Sequence, residues 1–319
     1  MTQEEMTENN TAHNAASNTR SPLPDSFDTI KRFIFNDKDI RGEIVQTCQA
    51  YRSLVADHAY PRNIRRLMGE MQAAITLMTE TVKFQGSIML QLRGNGDLAY
   101  AYINSNEKQE TRGLASWNGD IDEFCHWTKL LGKDPILTIT IIPEEGARYQ
   151  GIIDLSHDHL NECIEDYYRS SVQIETRVWL YCDPDSEKAA GILLQKLPTA
   201  NPEKLETDFN HITTLTDSMT EGEILSLESD DVLYRLFHQE SVNTFPPKPV
   251  SMKCVCSKDH FRDSLICLGA AALEDIIREQ GKISVNCQSC GKTFTYDPEE
   301  AQAIIAEARK QEAEKAEAK

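Results

Sequence analysis

Cys254-Val255-Cys256, thirty intervening residues, and then Cys287-Gln288-Ser289-Cys290 are the stretch on which the reading of this chain turns. Two close cysteine pairs separated by one supersecondary unit have the layout of a tetrahedral Zn²⁺ site built from four thiolates. The second pair is the usual C-x-x-C knuckle. The first is the rarer C-x-C, too tight for an ordinary zinc-ribbon knuckle. Four thiolates around one divalent ion leave no open coordination position, so such a site is structural rather than hydrolytic. It also concentrates thiolate, the form of cysteine that oxidants attack. Cys254, Cys256, Cys287 and Cys290 therefore fit either a plain zinc staple or a metal-held fold that oxidation can open.

Between the pairs, Lys258, Arg262, Arg278 and Lys282 stand against Asp259, Asp263, Glu274, Asp275 and Glu279, and the whole chain carries −18. A nucleic-acid binder needs a basic footprint, so no nucleic-acid partner is expected. The acidity serves colloidal solubility first. No run approaches eighteen consecutive apolar residues, so no membrane span is expected. Residues 1–25 carry four acids against Arg20 and lack the basic and apolar regions of a signal peptide. They read as a disordered extension. Nine cysteines without an export signal point to a reducing, cytoplasmic location rather than a disulfide framework.

A chain of 319 residues with 40% hydrophobic content predicts two domains plus appendages. Residues 26–198 read as an α+β domain of mixed sheet and helix. A strand over 28–45 breaks at Asn36-Asp37-Lys38-Asp39. Pro61 opens a helix with the apolar stripe Ile64, Leu67, Met68, Met71, Ile75, Met78 and Val82, for which core packing outweighs a methionine-rich client surface. Strands at 87–93 and 98–104 flank the turn Gly94-Asn95-Gly96-Asp97. Further strands fall at 136–142, 149–155, 177–182 and 190–197. Ser156 is the expected cap of a helix carrying Leu160, Ile164, Tyr167 and Tyr168. His157 and His159 in its first turn would not share a face, which argues against a shared metal. No triad, Walker-type loop or nucleophile elbow appears, so no enzyme is expected.

Residues 199–249 differ in kind: ten acids against Lys204 and Arg235 lie between Glu203 and Glu240. Thr220-Glu221-Gly222-Glu223 is a capping box leading into Ile224, Leu225 and Leu227. Asp230 or Asp231 is the expected cap of a second helix bearing Leu233, Leu236 and Phe237. Helices this short persist only when docked. Phe245-Pro246-Pro247-Lys248-Pro249 reads as a stiff extended spacer. The segment is thus an acidic, metastable helical linker.

The zinc module, residues 250–303, should hold one short helix with Leu265, Leu268, Ala272 and Ile276 on one face, ending near Gly281. Small strands are expected at 283–286 and 293–296. Asp297-Pro298-Glu299-Glu300 is a helix start. Residues 304–319 read as a charged, solvated, fraying tail.

At these residues the chain resembles the heat-shock protein 33 family, from Phe27 to about Ala303. The matching blocks are Asp39-Ile40-Arg41-Gly42-Glu43, Lys83-Phe84-Gln85-Gly86 into Met89-Leu90-Gln91-Leu92, and Gly191-Ile192-Leu193-Leu194-Gln195-Lys196-Leu197-Pro198. They continue with Arg235-Leu236-Phe237-His238-Gln239-Glu240, Phe245-Pro246-Pro247-Lys248-Pro249-Val250 and the two cysteine pairs. Departures are Ser171-Val172-Gln173-Ile174-Glu175-Thr176, the N-terminal extension and the additional Cys267.

The resemblance implies an ATP-independent holdase chaperone, off when reduced with one Zn²⁺ per chain and on when oxidised. Its partners would be unfolding client proteins, with a homodimer when oxidised and hand-over to an ATP-dependent chaperone system of the Hsp70 type. The physics agrees. A module of about forty residues cannot stabilise itself by burial alone. Bound zinc supplies roughly 10–16 kcal/mol in such modules, against a typical total stability of about 5–15 kcal/mol. Oxidation of the ligands, pairing Cys254 with Cys256 and Cys287 with Cys290, should unfold the module and then expose Ile224, Leu225, Leu227, Leu233, Leu236 and Phe237. Two other classes compete: a zinc-ribbon adaptor, and a thiol-disulfide oxidoreductase using Cys287 and Cys290.

Overall fold

The computed structural model describes residues 27–82 and 85–317. The expected disorder of residues 1–25 lies outside them. In chain order the first part comprises β1 (Thr29–Phe35), β2 (Ile40–Thr47), α1 (Gln49–Val55), α2 (Arg62–Thr81), β3 (Gly86–Arg93), β4 (Leu98–Asn106) and β5 (Glu110–Trp117). It continues with α3 (Trp127–Leu130), β6 (Ile136–Pro143), β7 (Tyr149–Asp154), α4 (Leu160–Tyr167), β8 (Thr176–Asp183) and β9 (Lys188–Lys196). The linker holds α5 (Pro202–Asp217), α6 (Glu221–Ile224), α7 (Ser229–Phe237), β10 (Val242–Thr244) and β11 (Lys248–Pro249). Then come β12 (Ser251–Met252), α8 (Lys258–Leu268), α9 (Ala270–Gln280), β13 (Ile283–Asn286), β14 (Thr293–Tyr296) and α10 (Pro298–Glu317).

This is an α+β architecture of two six-stranded sheets and a small third sheet. The first sheet runs β10-β1-β2-β9-β8 with β11 also on β1; the second runs β12-β5-β4-β3-β6-β7; β13 pairs only with β14. Helix α2 supplies Ile64, Leu67, Met68, Met71, Ile75 and Met78 to the core it shares with both sheets. The methionine stripe is therefore packing. The β3–β4 turn packs on α3's far end: a Cβ on Gly94 would come within 2.0 Å of the Leu131 carbonyl oxygen. Among the described residues no helix is long and apolar enough to cross a membrane.

Several local expectations are corrected. Helix α4 begins at Leu160 with His159 as its N-cap residue. Ser156 stays outside because its backbone N–H is drawn into a turn on the Asp154 carbonyl, 2.9 Å. His157 bonds to Asp166 at 2.7 Å, and His159 lies edge-on to His126. Helix α7 starts at Ser229 from Glu228, not from Asp230 or Asp231. Asp230 is instead paired with Lys31 across the linker, 2.6 Å.

The single helix expected in the C-terminal module is two, α8 and α9, broken at Gly269 with φ +91. The break resets the helical phase, so the buried face is Leu265, Ile266, Ala270 and Leu273. Leu268 and Ala272 are exposed, and Ile276 only packs at the margin. Asp297 and Glu300 cap α10 reciprocally at 2.9 and 3.0 Å, as their spacing predicts. That helix adds Ala301, Ile304, Ile305 and Ala308 to the module's core. Ile304, Ile305 and Ala308 are thus packed rather than part of a fraying tail.

Candidate metal centre and the linker docked beside the sheet

Cys254 and Cys256 lie in the loop between β12 and α8, and Cys287 and Cys290 in the turn from β13 to β14. That turn is closed by Cys287 N–H to the Lys292 carbonyl (2.8 Å) and Gly291 N–H to the Cys287 carbonyl (2.9 Å). Gly291 sits at φ +63, which favours glycine. The four Sγ atoms all lie within 4.8 Å of one another. Two close approaches cross between the pairs: 3.5 Å for Cys254 to Cys287 and 3.3 Å for Cys256 to Cys290. A tetrahedron with metal–sulfur bonds of about 2.3 Å has edges of about 3.8 Å, so the donor set fits one tetrahedral thiophilic ion. Among the described residues no other group of three or more potential ligands converges in this way.

Burial raises the Cys254 thiol, whereas for Cys287 the backbone N–H groups of Ser289 and Cys290 and its neighbour Cys254 outweigh burial, leaving that thiol below its ordinary value. Cys256 is pushed up by burial and by the other three sulfurs. Elsewhere Cys48, Cys163 and Cys182 are buried, and burial raises each thiol, Cys163 to about 11. They are not reactive in the folded state. Cys267 is exposed on α8 and outside the group. Cys287 and Cys290 sit in a hairpin turn, not at the helix N-terminus that a thioredoxin-like oxidoreductase uses.

The linker helices cover one face of the first sheet. Ile224, Leu225, Leu233 and Phe237 are buried there against Phe33, Ile44 and Ile192 (among others), with Leu227 and Leu236 partly buried at the margin. Phe237 packs edge-on to Phe35 at 5.1 Å and tilted on Phe33 at 5.9 Å. Gly42 makes room for this floor: a Cβ there would meet the Phe33 ring at 2.2 Å. The Thr220–Glu223 capping box forms in full.

Sequence reasoning missed helix α5, which adds Leu205, Phe209 and Ile212 to the same cluster. Its signal is Asn201-Pro202, an N-cap with proline at N1; the Asn201 side chain accepts from Lys204 N–H at 3.1 Å. It also missed the polar anchors. Gln46 Nε2 donates to the Ile224 and Leu227 carbonyls, and Lys188 Nζ to the Leu225 carbonyl at 2.8 Å. Trp179 Nε1 donates to Asp217 at 3.0 Å, and Lys38 pairs with Glu240 at 2.7 Å. The proline-rich spacer is extended as expected, but it is strapped to β1 through β11. Glu80, nearly buried, holds it through Lys248 (2.8 Å) and Arg32 (3.2 Å), and Arg32 lies over the Phe245 ring.

The family profile described as Hsp33 protein matches residues 28–297. The chain belongs to the Hsp33 family. A "33 kDa chaperonin" of Shewanella sp. (strain ANA-3) is 38% identical over 279 residues, covering 88% of this chain and 96% of that protein. The "33 kDa chaperonin" of Aliivibrio fischeri (strain ATCC 700601 / ES114) is 40% identical over 271 residues, 84% of this chain and 92% of that one. The crystal structure of the 33 kDa chaperonin (heat shock protein 33 homolog) from Thermotoga maritima superposes with a TM-score of 0.73 over 88% of this chain and 98% of that one. At 20% identity that likeness speaks for the fold. This Hsp33-family chain thus joins membership of a chaperone family to a four-cysteine group able to hold a metal ion.

Proposed function

We propose that this chain is a redox-regulated, ATP-independent holdase whose Cys254, Cys256, Cys287 and Cys290 together bind one Zn²⁺ when reduced. The observation that carries the reading is the convergence of four sulfurs from two loops within 4.8 Å, in a module with only a small core of its own. Zn²⁺ held there would contribute roughly 10–16 kcal/mol to a module that burial alone cannot sustain. Oxidation takes two electrons per disulfide from a pair of thiolates and leaves sulfurs without the charge that binds a cation. Cys254 would pair with Cys256 and Cys287 with Cys290, the shortest loops to close. The module then unfolds, and with it the linker, residues 199–249, which leaves the sheet of the N-terminal domain, residues 26–198.

Undocking exposes Ile224, Leu225, Leu227, Leu233, Leu236 and Phe237 together with the sheet face beneath them. That apolar surface, on a chain of net charge −18, can hold unfolding clients without itself precipitating. A homodimer of the oxidised form, hand-over to an Hsp70-type system and a cytoplasmic location belong to the same reading. Light scattering from a heat-aggregating client tests it. Peroxide-treated protein should suppress aggregation at concentrations where the reduced, zinc-loaded protein does not. Equal suppression by both forms would overturn the redox switch.

A further inference from the structure

The cleft into which the thiols open is not built by the C-terminal module alone. It encloses about 620 Å³, and Tyr102 of β4 and Arg112 of β5 line it together with Cys254, Cys256 and Cys287. Strand pairing puts Arg112 there. Strand β12 runs parallel to β5 with Ser251 opposite Glu110 and Met252 opposite Thr111, and Lys253 N–H donates to the Thr111 carbonyl at 2.9 Å. Continued by one residue, that register sets Lys253 opposite Arg112, with Cys254 immediately after it. The second knuckle is seated on the same domain. Tyr102 Oη lies 3.4 Å from Ser289 Oγ, and a Cβ on Gly291 would come within 2.9 Å of the Asp57 side chain.

Arg112 is half-buried, and among the described residues its guanidinium makes no ion pair, in a chain with 51 acids against 33 bases. The acid nearest along its own strand, Glu110, is taken by Lys253 at 2.6 Å. What the cleft offers Arg112 instead is the sulfur cluster. Four thiolates around a divalent ion carry −2, whereas two disulfides carry nothing. We infer that Arg112 is the charge partner of the four-thiolate centre, a positioning residue that seats the metal-loaded module on the N-terminal domain and loses its counter-charge when the cysteines are oxidised. The inference rests on the reading above and extends it: the coupling is reciprocal, so seating favours metal retention and metal retention favours seating.

The test uses the full-length reduced chain as wild type, Arg112→Gln and Arg112→Lys, each competed for zinc against a chromophoric chelator. At low ionic strength Arg112→Gln should retain zinc roughly three- to tenfold less tightly, the scale of one charge interaction near a protein surface. Arg112→Lys should stay close to wild type. The gap should close in about 1 M salt, where the screening length falls to about 3 Å. Hydrogen exchange in residues 100–104 should be faster in reduced Arg112→Gln than in reduced wild type, and equal once both are oxidised. Equal zinc retention by wild type and Arg112→Gln at low salt overturns the inference, as does a gap that salt leaves unchanged or that lysine fails to close. A wild-type chain that holds no zinc overturns the underlying reading as well.

Discussion

Gln46, on β2, donates from Nε2 to the carbonyl oxygen of Ile224 at 2.6 Å, and the same nitrogen reaches the Leu227 carbonyl at 2.7 Å. Ile224 ends helix α6, so these are carbonyls that a four-residue helix leaves without an intrahelical partner. A side chain of the sheet thus closes a helix of the linker. Gln46 is itself 1% exposed, so the bonds form away from water. Docking of α6 is specified by geometry as well as by apolar contact.

Replacing Gln46 with Leu should leave those two carbonyls buried and unpaired, at a cost of about 1–3 kcal/mol to docking. Amides from residues 220–228 should then exchange faster in the reduced protein, with zinc content unchanged. Unaltered protection would show that the apolar contacts alone seat the helix.

Phe237 is 2% exposed whereas Leu236 is only partly buried. Phe237→Asp should weaken linker docking by several kcal/mol, of the order of losing a buried aromatic side chain. Leu236→Asp should cost less. Reduced, zinc-loaded Phe237→Asp should therefore suppress client aggregation partially without oxidant, ahead of Leu236→Asp. The reverse order in a scattering assay would refute this docking geometry.

Cys287→Ser should abolish stoichiometric zinc, expected at one per chain, and unfold the module built on Leu265, Leu273, Ile304 and Ile305. Metal analysis with circular dichroism reads both effects. Full zinc affinity in the variant would refute the ligand set.

Peptide mapping of oxidised protein should find Cys254 joined to Cys256 and Cys287 to Cys290. In the folded form the crossed pairs, Cys254 with Cys287 and Cys256 with Cys290, already lie within 3.5 Å. Crossed disulfides would therefore show that oxidation precedes unfolding and refute the neighbour pairing, as would a dominant bond to Cys267.

Glu43 lies 1% exposed on β2 with Oε2 unpartnered. Burial pushes its carboxyl up to about 7, and Glu80 adds to the rise while Arg41 and Arg32 oppose it. The folded state therefore holds a proton that the unfolded chain releases near 4.5. Its contribution is fully favourable below about 4.5, is lost as pH rises toward about 7, and is level above that. Glu43→Gln should remove that slope and gain up to about 3 kcal/mol relative to wild type between pH 5 and pH 8. Glu70, also raised to about 7 by burial, stays in both proteins and cancels in the difference. Parallel melting-temperature profiles for the two proteins would exclude a buried neutral Glu43.

What the sequence determined by itself is what a few neighbouring residues decide. The four-cysteine group is legible because metal chemistry constrains the type of such residues and their spacing within each pair. The Thr220–Glu223 and Asp297–Glu300 caps are legible because residues three apart on a first helical turn meet whatever the rest of the chain does. The apolar faces of α6 and α7 are legible from the helical period, which also says that something must cover them.

What covers them, and what stands beside the thiols, was decided only by tertiary structure. Gln46 meets Ile224 across 178 residues, and Lys31 meets Asp230 by the same docking. Arg112 shares a cleft with the cysteines because β12 adds to β5 in one parallel register, and a slip of one residue there would turn β12's side chains to the other face and shift the cysteines that follow it. The helix break at Gly269 belongs here too. A continuous stripe from Leu265 to Ile276 is an acceptable local solution, but one left-handed residue re-aims α9 so that Ala270 and Leu273 pack against the Ile304 side of α10. Local propensity is indifferent between these solutions. The core that forms from distant segments is not, because only one of them buries its apolar side chains.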